Sequence, residues 1–367
     1  MHLKTLILEN FKNYNATKME FVKGINCVVG PNGSGKTNLL DAIHMLSMTK
    51  SAFNYIDQDL IRKDQNYMRL LADLIKEKEE KIEIRLKQKE KKQVFWNDNE
   101  YEKLSHHIGK MPLVLISPND TDIIRQGSEG RRRFFDSMIS TIKPDYLKAL
   151  SEYQKILRQR NALLKQMAEK KSKSFSLLEI YDEQLIPLNQ FINGSRSELI
   201  KSHEKDFQNF YSILSDKKEK LQWVYESKAG EKDFRDRFKN SLERDLIFQR
   251  TNVGIHKDDY EFFIDGKQVK KYASQGQQKS TVLSLKLIQF IVFKNHFNYS
   301  PILLLDDIFD KLDSGRMERL MSIISKQDFI QIFVSDAHPE RSIEIFNNSN
   351  ADIRIFEIEN GEVKNVR

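Results

Sequence analysis

Gly30-Pro31-Asn32-Gly33-Ser34-Gly35-Lys36-Thr37 satisfies G-x-x-x-x-G-K-[ST] at every fixed position. The apolar run Ile25-Asn26-Cys27-Val28-Val29 before it reads as a strand, and Asn38–Met48 after it carries Leu39, Leu40, Ile43 and Leu46 at helical spacing. An ordinary glycine-rich turn is the competing reading, and it gives no account of that flanking pattern. Glycines let backbone N–H groups turn inward toward phosphate oxygens. Lys36 then supplies charge to the terminal phosphates, Thr37 a hydroxyl for magnesium, and the helix its positive end. The stretch Gly30–Asn38 is therefore expected to bind ATP with Mg2+.

A second motif lies far along the chain. Ile302-Leu303-Leu304-Leu305-Asp306-Asp307 is an apolar run ending in two carboxylates. Alone it reads equally well as a core strand with an acidic turn. Paired with the phosphate loop, it reads as a buried strand with magnesium chemistry at its C-terminal end. Asp306 is expected at the metal, with Thr37, and Asp307 at the attacking water, with Lys36 as the second catalytic group. Lys36 and Asp306 are 270 positions apart. The expectation is one α/β sheet split by a long insertion. A third stretch, Ser274-Gln275-Gly276-Gln277-Gln278-Lys279, precedes a helix expected over Ser280–Phe293. It could hold a phosphate, or simply cap that helix.

The rest of the chain bounds the function. It has 367 residues, 60 Lys and Arg against 53 Asp and Glu, and a net charge of +7. A basic excess suits a polyanion, nucleic acid first. No apolar stretch has the length that spans a bilayer. Met1–Glu9 lacks a signal-peptide layout and reads as a strand ending at the turn-rich Asn10–Tyr14. The single cysteine, Cys27, is expected to be a core residue, and a cytoplasmic location is the expectation. Residues 67–96 read as a β-meander, and Leu113–Ile116 as a buried strand. Pro144–Lys173 and Leu177–Leu214, the latter interrupted at Pro187 and Gly194, read as a helical lobe too short for a rod-like coiled coil. Strand signals return at Leu221–Tyr225, Tyr260–Ile264 and Ile330–Val334, and a hairpin closes at Asn360-Gly361. His106, His107 and His256 lack zinc-site spacing.

With these motifs in place, the chain resembles the ABC-type ATPases of the SMC and Rad50 class, and within it the bacterial recombination mediators. The resemblance runs through Leu8–Tyr14, Gly30–Asp41, Ser117–Asp120, Gly130-Arg131-Arg132-Arg133-Phe134-Phe135-Asp136, Gly254-Ile255-His256-Lys257-Asp258-Asp259, Ser274–Lys279 and Leu304–Ile308. It implies an α/β fold: an ABC-type P-loop ATPase head with a mixed β-sheet and an inserted helical lobe. The expected division is 1–105 and 221–367 for the two halves of the head and 106–220 for the lobe. It implies that Ser274, Gly276 and Lys279 close on the γ-phosphate of ATP held by a second copy. Asp310-Lys311-Leu312-Asp313 would line the same interface. ATP would then cement a homodimer on DNA, duplex or single-strand/double-strand junction, and slow hydrolysis would release it. A RecR-type partner and, indirectly, the RecA recombinase are implied. The pattern departs at two places: Asn119 and Gln126 both fall where a Q-loop glutamine belongs, and Ser335-Asp336-Ala337-His338 lacks a histidine directly after its strand. Arg131–Arg133 could meet DNA, nucleotide or intramolecular partners. A structural SMC-type ATPase would need a long heptad arm, and a nuclease-coupled ATPase a separate acidic domain after Val334; neither is visible in the sequence.

Overall fold

A computed structural model of the chain describes residues 1–54, 56–170, 175–216, 219–309, 312–326, 329–338 and 352–367. In chain order the elements begin with β1 (His2–Phe11), β2 (Tyr14–Glu20), β3 (Gly24–Val29) and α1 (Lys36–Met48). The meander follows as β4 (Tyr67–Ile75), β5 (Glu79–Lys87), β6 (Gln93–Trp96) and β7 (Asn99–Glu100), then β8 (Leu113–Ile116). Next come α2 (Asp122–Arg125), α3 (Ser128–Ile142), α4 (Pro144–Lys170), α5 (Phe175–Ser215), β9 (Leu221–Glu226), α6 (Phe234–Asn240) and α7 (Leu242–Phe248). After β10 (Asp259–Ile264), β11 (Lys267–Gln268) and α8 (Val269–Tyr272) come α9 (Gln275–Phe297), β12 (Ile302–Asp306) and α10 (Ser314–Lys326). The chain closes with β13 (Gln331–Asp336), β14 (Ile353–Glu359) and β15 (Glu362–Val366).

The described residues form two compact units, Met1–Asp120 with Leu285–Arg367, and Thr121–Ser284. The first holds two sheets. One is antiparallel, ordered β2-β1-β4-β5-β6-β7; the other is mixed, ordered β15-β14-β3-β13-β12-β8. In the mixed sheet β8, β12, β13, β3 and β14 are parallel, and only β15 runs against its neighbour. β12 and β13 are buried at every residue and β3 at all but its first, as strands covered on both faces must be. β3, which feeds the glycine loop, lies between strands from the far end of the chain, with Val29 opposite Asp336 and Glu357. The mixed sheet and the inserted helical part that the resemblance implies are both observed.

Two expectations change. The second unit extends to Ser284, so residues 221–284 join the helical part, and 106–120 with β8 join the first unit. The reason is aromatic packing. Trp223 of β9 stacks on Phe207 of α5 at 4.4 Å between centroids, and Tyr260 of β10 on Phe135 of α3 at 3.9 Å. Burying such rings ties the three-stranded sheet to the helices beneath it. Second, α5 runs 41 residues straight through Pro187 and Gly194. Its inward residues Leu185, Ile186, Asn189, Ile192 and Asn193 are buried, and tertiary packing outweighs the proline's missing N–H. The turn expected within Asn10–Tyr14 is present: Asn10 and Lys12 adopt left-handed φ of 50°, and the chain reverses into β2, an antiparallel strand that the sequence reading had not assigned.

No described helix is long and apolar enough to cross a membrane. Asp310 and Lys311 of the expected interface loop lie outside the described residues.

Candidate nucleotide site

The phosphate loop leaves β3 at Val29 and enters α1 at Lys36. Pro31, Asn32 and Gly33 form an exposed tip, and Ser34, Gly35 and Lys36 are buried. Gly30 sits at φ 152°, and a Cβ there would collide with the carbonyl oxygen of Ile358. A glycine is needed there both for its conformation and for its lack of a side chain. Gly30 N–H donates to Asp336 O at 3.3 Å, tying the start of the loop to the end of β13.

Lys36, Thr37 and Asp306 each have an identifiable partner. Lys36 Nζ donates to Gly30 O at 2.7 Å and Pro31 O at 3.0 Å, so the ammonium lies across the mouth of its own loop. Thr37 Oγ1 donates to Asp306 Oδ1 at 3.0 Å, joining residues 269 apart in sequence. Asp306 is buried at the end of β12, and that burial raises its pKa, against hydrogen bonds from Ser335 and Thr37 that act the other way. Asp307 follows with φ 48°, an uncommon conformation for a side-chain-bearing residue. Its carboxylate is half-buried and, among the described residues, makes no hydrogen bond. Asn38 does not reach into the loop; its Nδ2 donates to Asn13 Oδ1 at 2.7 Å.

Two observations fit a phosphorylated, magnesium-bearing ligand. Ser34 Oγ is buried inside the loop with no hydrogen-bond partner, which a phosphate oxygen would supply. Thr37 and Asp306 present hard oxygen donors side by side. No cluster of three or more His, Cys, Asp or Glu that could hold a metal occurs among the described residues, so a cation here would complete its shell with water and substrate oxygens, as magnesium does.

Sequence reasoning placed Ser335 at the head of the segment after the strand and gave it no role. Its hydroxyl donates to Asp306 Oδ1 at 2.8 Å and accepts the Asp307 amide at 2.8 Å. The register that pairs Asp306 with Ser335 in the sheet brings them together. The available signal was a serine close to the end of a buried strand. Asp336, fully buried beside it, accepts His338 N–H at 3.1 Å.

The Ser274–Lys279 stretch belongs to the second unit. α9 begins at Gln275, so Gly276 lies in its first turn and Lys279 at the start of its second, rather than in a preceding loop. Ser274 and Gln277 form a reciprocal cap: Gln277 N–H donates to Ser274 Oγ at 3.2 Å, and Ser274 N–H to Gln277 Oε1 at 2.8 Å. The Ser274 hydroxyl accepts in this cap and keeps its proton for another acceptor. The three glutamines now differ. Gln277 also bonds Glu219, Gln278 is buried against Arg125 and Ala273 O, and Gln275 is exposed. Among the two Q-loop candidates, Gln126 bonds Asp122 through its side chain and Asn119 is exposed.

The arginine triplet also resolves. Arg131 is buried and grips Asp259 with two bonds of 2.7 and 2.8 Å; Arg132 bonds Ser128 Oγ and Asp258 O. Asp136 and Asp258 share Arg196. The two segments 130–136 and 254–259 thus form one network, and Arg133 alone of the three points its charge outward, weakly paired with Glu129 at 4.0 Å.

The model of the RecF/RecN/SMC N-terminal domain matches residues 2–364. The chain is 43% identical over 365 residues to the DNA replication and repair protein RecF of Cytophaga hutchinsonii, covering 99% of this chain and 97% of that one. It is 42% identical over 359 residues to RecF of Flavobacterium johnsoniae, covering 98% and 100%. Among solved structures, the recombination mediator protein RecF with ATP, of the RecFOR pathway, superposes with a TM-score of 0.89 at 31% identity, covering 100% of this chain and 97% of that one. An Smc head bound to the C-winged helix domain of ScpA gives 0.57 at 17% identity, over 100% and 97%, a likeness of fold alone.

Proposed function

The chain belongs to the RecF family of DNA replication and repair proteins, and we propose that it is an ATP-gated DNA clamp acting as a recombination mediator. The observation that carries this is the Thr37–Asp306 bond of 3.0 Å, which assembles a phosphate loop and a buried carboxylate from opposite ends of the chain.

It is an ABC-type ATPase, and its own residues divide the work. On nucleotide entry Lys36 exchanges the carbonyls of Gly30 and Pro31 for the terminal phosphates, charge replacing dipole. Ser34 Oγ gains the acceptor it lacks. Thr37 and Asp306 would hold Mg2+, which when bound neutralises charge on the β- and γ-phosphates. Asp307, whose carboxylate makes no hydrogen bond among the described residues, orients the attacking water. Ser274, with its proton free, Gly276 and Lys279 of a second copy close on the γ-phosphate. ATP is then both substrate and dimer adhesive, and hydrolysis opens the clamp.

The net charge of +7 supports a phosphate-dominated DNA contact, salt-sensitive and weakly sequence-specific. Duplex or junction DNA is the ligand. Likeness to a mediator of the RecFOR pathway supports a RecR-type partner and an indirect role in RecA loading, in the cytoplasm. The test is light scattering with and without Mg-ATP, paired with DNA anisotropy over a salt series. Nucleotide-dependent doubling of mass together with tighter DNA binding is expected. A monomer under both conditions overturns the clamp.

A further inference from the structure

The sequence segment Leu8–Tyr14 is unexplained by nucleotide chemistry, yet its last two residues touch the phosphate loop. Asn13 Nδ2 donates to Ser34 O at 2.9 Å, and Tyr14 OH to Gly35 O at 3.0 Å. A third donor arrives from the opposite end of the chain: Gly361 N–H donates to the same Ser34 O at 2.8 Å.

The carbonyls of the loop can be counted. Gly30 O and Pro31 O take Lys36, and Pro31 O also takes Ser34 N–H at 3.2 Å. Gly35 O takes Tyr14 and the α1 amide of Leu39. Ser34 O alone is held by two donors from separate hairpins. In a trans peptide the C=O and the following N–H point in opposite directions. Holding Ser34 O outward therefore turns the Gly35 amide inward, to where phosphate oxygens would lie.

The hairpin that supplies Gly361 is built for this contact. Asn360 and Gly361, at φ 51° and 79°, form the tight turn between β14 and β15. A Cβ on Gly361 would collide with Asn13 O, so the two hairpin tips meet backbone to backbone. Asn13 is itself oriented by Asn38 of α1 at 2.7 Å.

We propose that Asn13, Tyr14 and Gly361 are positioning residues that preorganise the phosphate loop by holding the carbonyls of Ser34 and Gly35 away from the nucleotide. They touch no substrate; they act through the direction of two peptide planes. The inference rests on Gly30–Thr37 being the nucleotide loop. Preorganisation acts on binding before chemistry, so it shows in affinity rather than in the hydrolytic step.

The experiment measures binding of a fluorescent ATP analogue with Mg2+, and steady-state ATPase, on the full chain. Asn13→Ala, Gly361→Ala and the double variant are compared with Tyr14→Phe, which keeps the buried ring. Asn13→Ala and Tyr14→Phe each delete one donor and should weaken affinity about three- to tenfold, the range of one lost hydrogen bond. Gly361→Ala keeps its N–H but forces the two hairpin tips apart and should weaken affinity at least as much. All three should retain kcat at saturating ATP. Because Asn13 and Gly361 share one carbonyl, the double variant should depart from the product of the two single effects. Wild-type affinity in Asn13→Ala and Tyr14→Phe, or a fall in kcat at unchanged affinity, overturns the proposal. Should Gly361→Ala fail to fold, Asn13→Ala and Tyr14→Phe decide alone. Failure of the unaltered chain to bind the analogue overturns the nucleotide reading instead, a separate outcome.

Discussion

Ser335 Oγ lies 2.8 Å from Asp306 Oδ1 and donates to it, while the same oxygen accepts the amide of Asp307 at 2.8 Å. One hydroxyl thus orients the buried carboxylate and pins the residue after it in a left-handed turn. Ser335→Ala removes both bonds. The expected result is a fall in kcat of about tenfold, from roughly 1.4 kcal/mol of lost positioning. ATP affinity should change little, since the phosphate loop keeps its own contacts. Ser335→Thr keeps the hydroxyl and should recover most of the rate. Steady-state ATPase with a direct binding measurement separates these; equal loss of affinity and rate in Ser335→Ala would assign the serine to folding instead.

Buried charge makes the second unit sensitive at Asp245. This carboxylate is fully buried and accepts Arg160 Nη1 at 2.7 Å, Asn252 N–H at 2.9 Å and Ser241 Oγ at 3.2 Å. Arg160 is also fully buried, and its Nη2 already lacks a partner. Asp245→Ala would leave that guanidinium with Asp182 as its one carboxylate, at a cost of about 3–5 kcal/mol. Arg133→Ala, on an exposed side chain with a long ion pair, should stay within about 0.5 kcal/mol. Urea unfolding of both variants checks the contrast, and similar midpoints would refute it.

Acid should weaken the first unit through His107. The ring is fully buried between Trp96 and Tyr101, and its Nε2 donates to Leu46 O at 2.6 Å. Its Nδ1 has no partner, so protonation would bury an unsatisfied N–H. Burial pushes this imidazole down to about 4, against about 6.5 in an unfolded chain. Between those values the unfolded chain binds more protons, so stability rises with pH. The contribution is full above about pH 6.5 and is lost as pH falls toward 4, amounting to about 3 kcal/mol. His107→Gln should flatten the pH dependence of the melting temperature in that window by about one proton's worth. An unchanged slope would show that another group carries it.

Legibility in the sequence followed how local each interaction is. The phosphate loop was readable because its strand, glycines, lysine and helix are consecutive. Asp306 was readable because its strand is apolar at every position. Ser335 was not, because its role depends on the register between β12 and β13, which no local pattern encodes. Arg131 left its options open for the same reason: its partner Asp259 is 128 residues away. β2 was hidden by Asn15, Thr17, Lys18 and Glu20, polar residues suited to a sheet edge, with Tyr14 and Met19 its only buried members. α5 was read as broken at Pro187 and Gly194, because propensity is local and the packing that overrides it is not. The start of α9 slipped by five residues because Ser274 and Gln277 cap each other, a device that a glutamine-rich stretch disguises.

That cap bears on the composite-site reading. If Ser274 serves the nucleotide of a second copy, each dimer holds two sites, each built from Lys36 of one copy and Ser274 of the other. Lys36→Arg keeps the charge but not the compact ammonium that lies across the loop at 2.7 Å from Gly30 O. Ser274→Arg places bulk and charge at the head of α9. Each variant alone has two damaged sites and should show ATPase near background. Mixed in equal amounts, about half the dimers pair unlike copies. In those, the Lys36→Arg copy and the Ser274→Arg copy damage the same site, and the other site is intact. The mixture should therefore regain up to about a quarter of the wild-type rate, since half the dimers carry one good site of two. Activity that stays at background on mixing, with dimers present by light scattering, would place Ser274 outside the partner's site. It would leave the serine as the cap of α9 and nothing more.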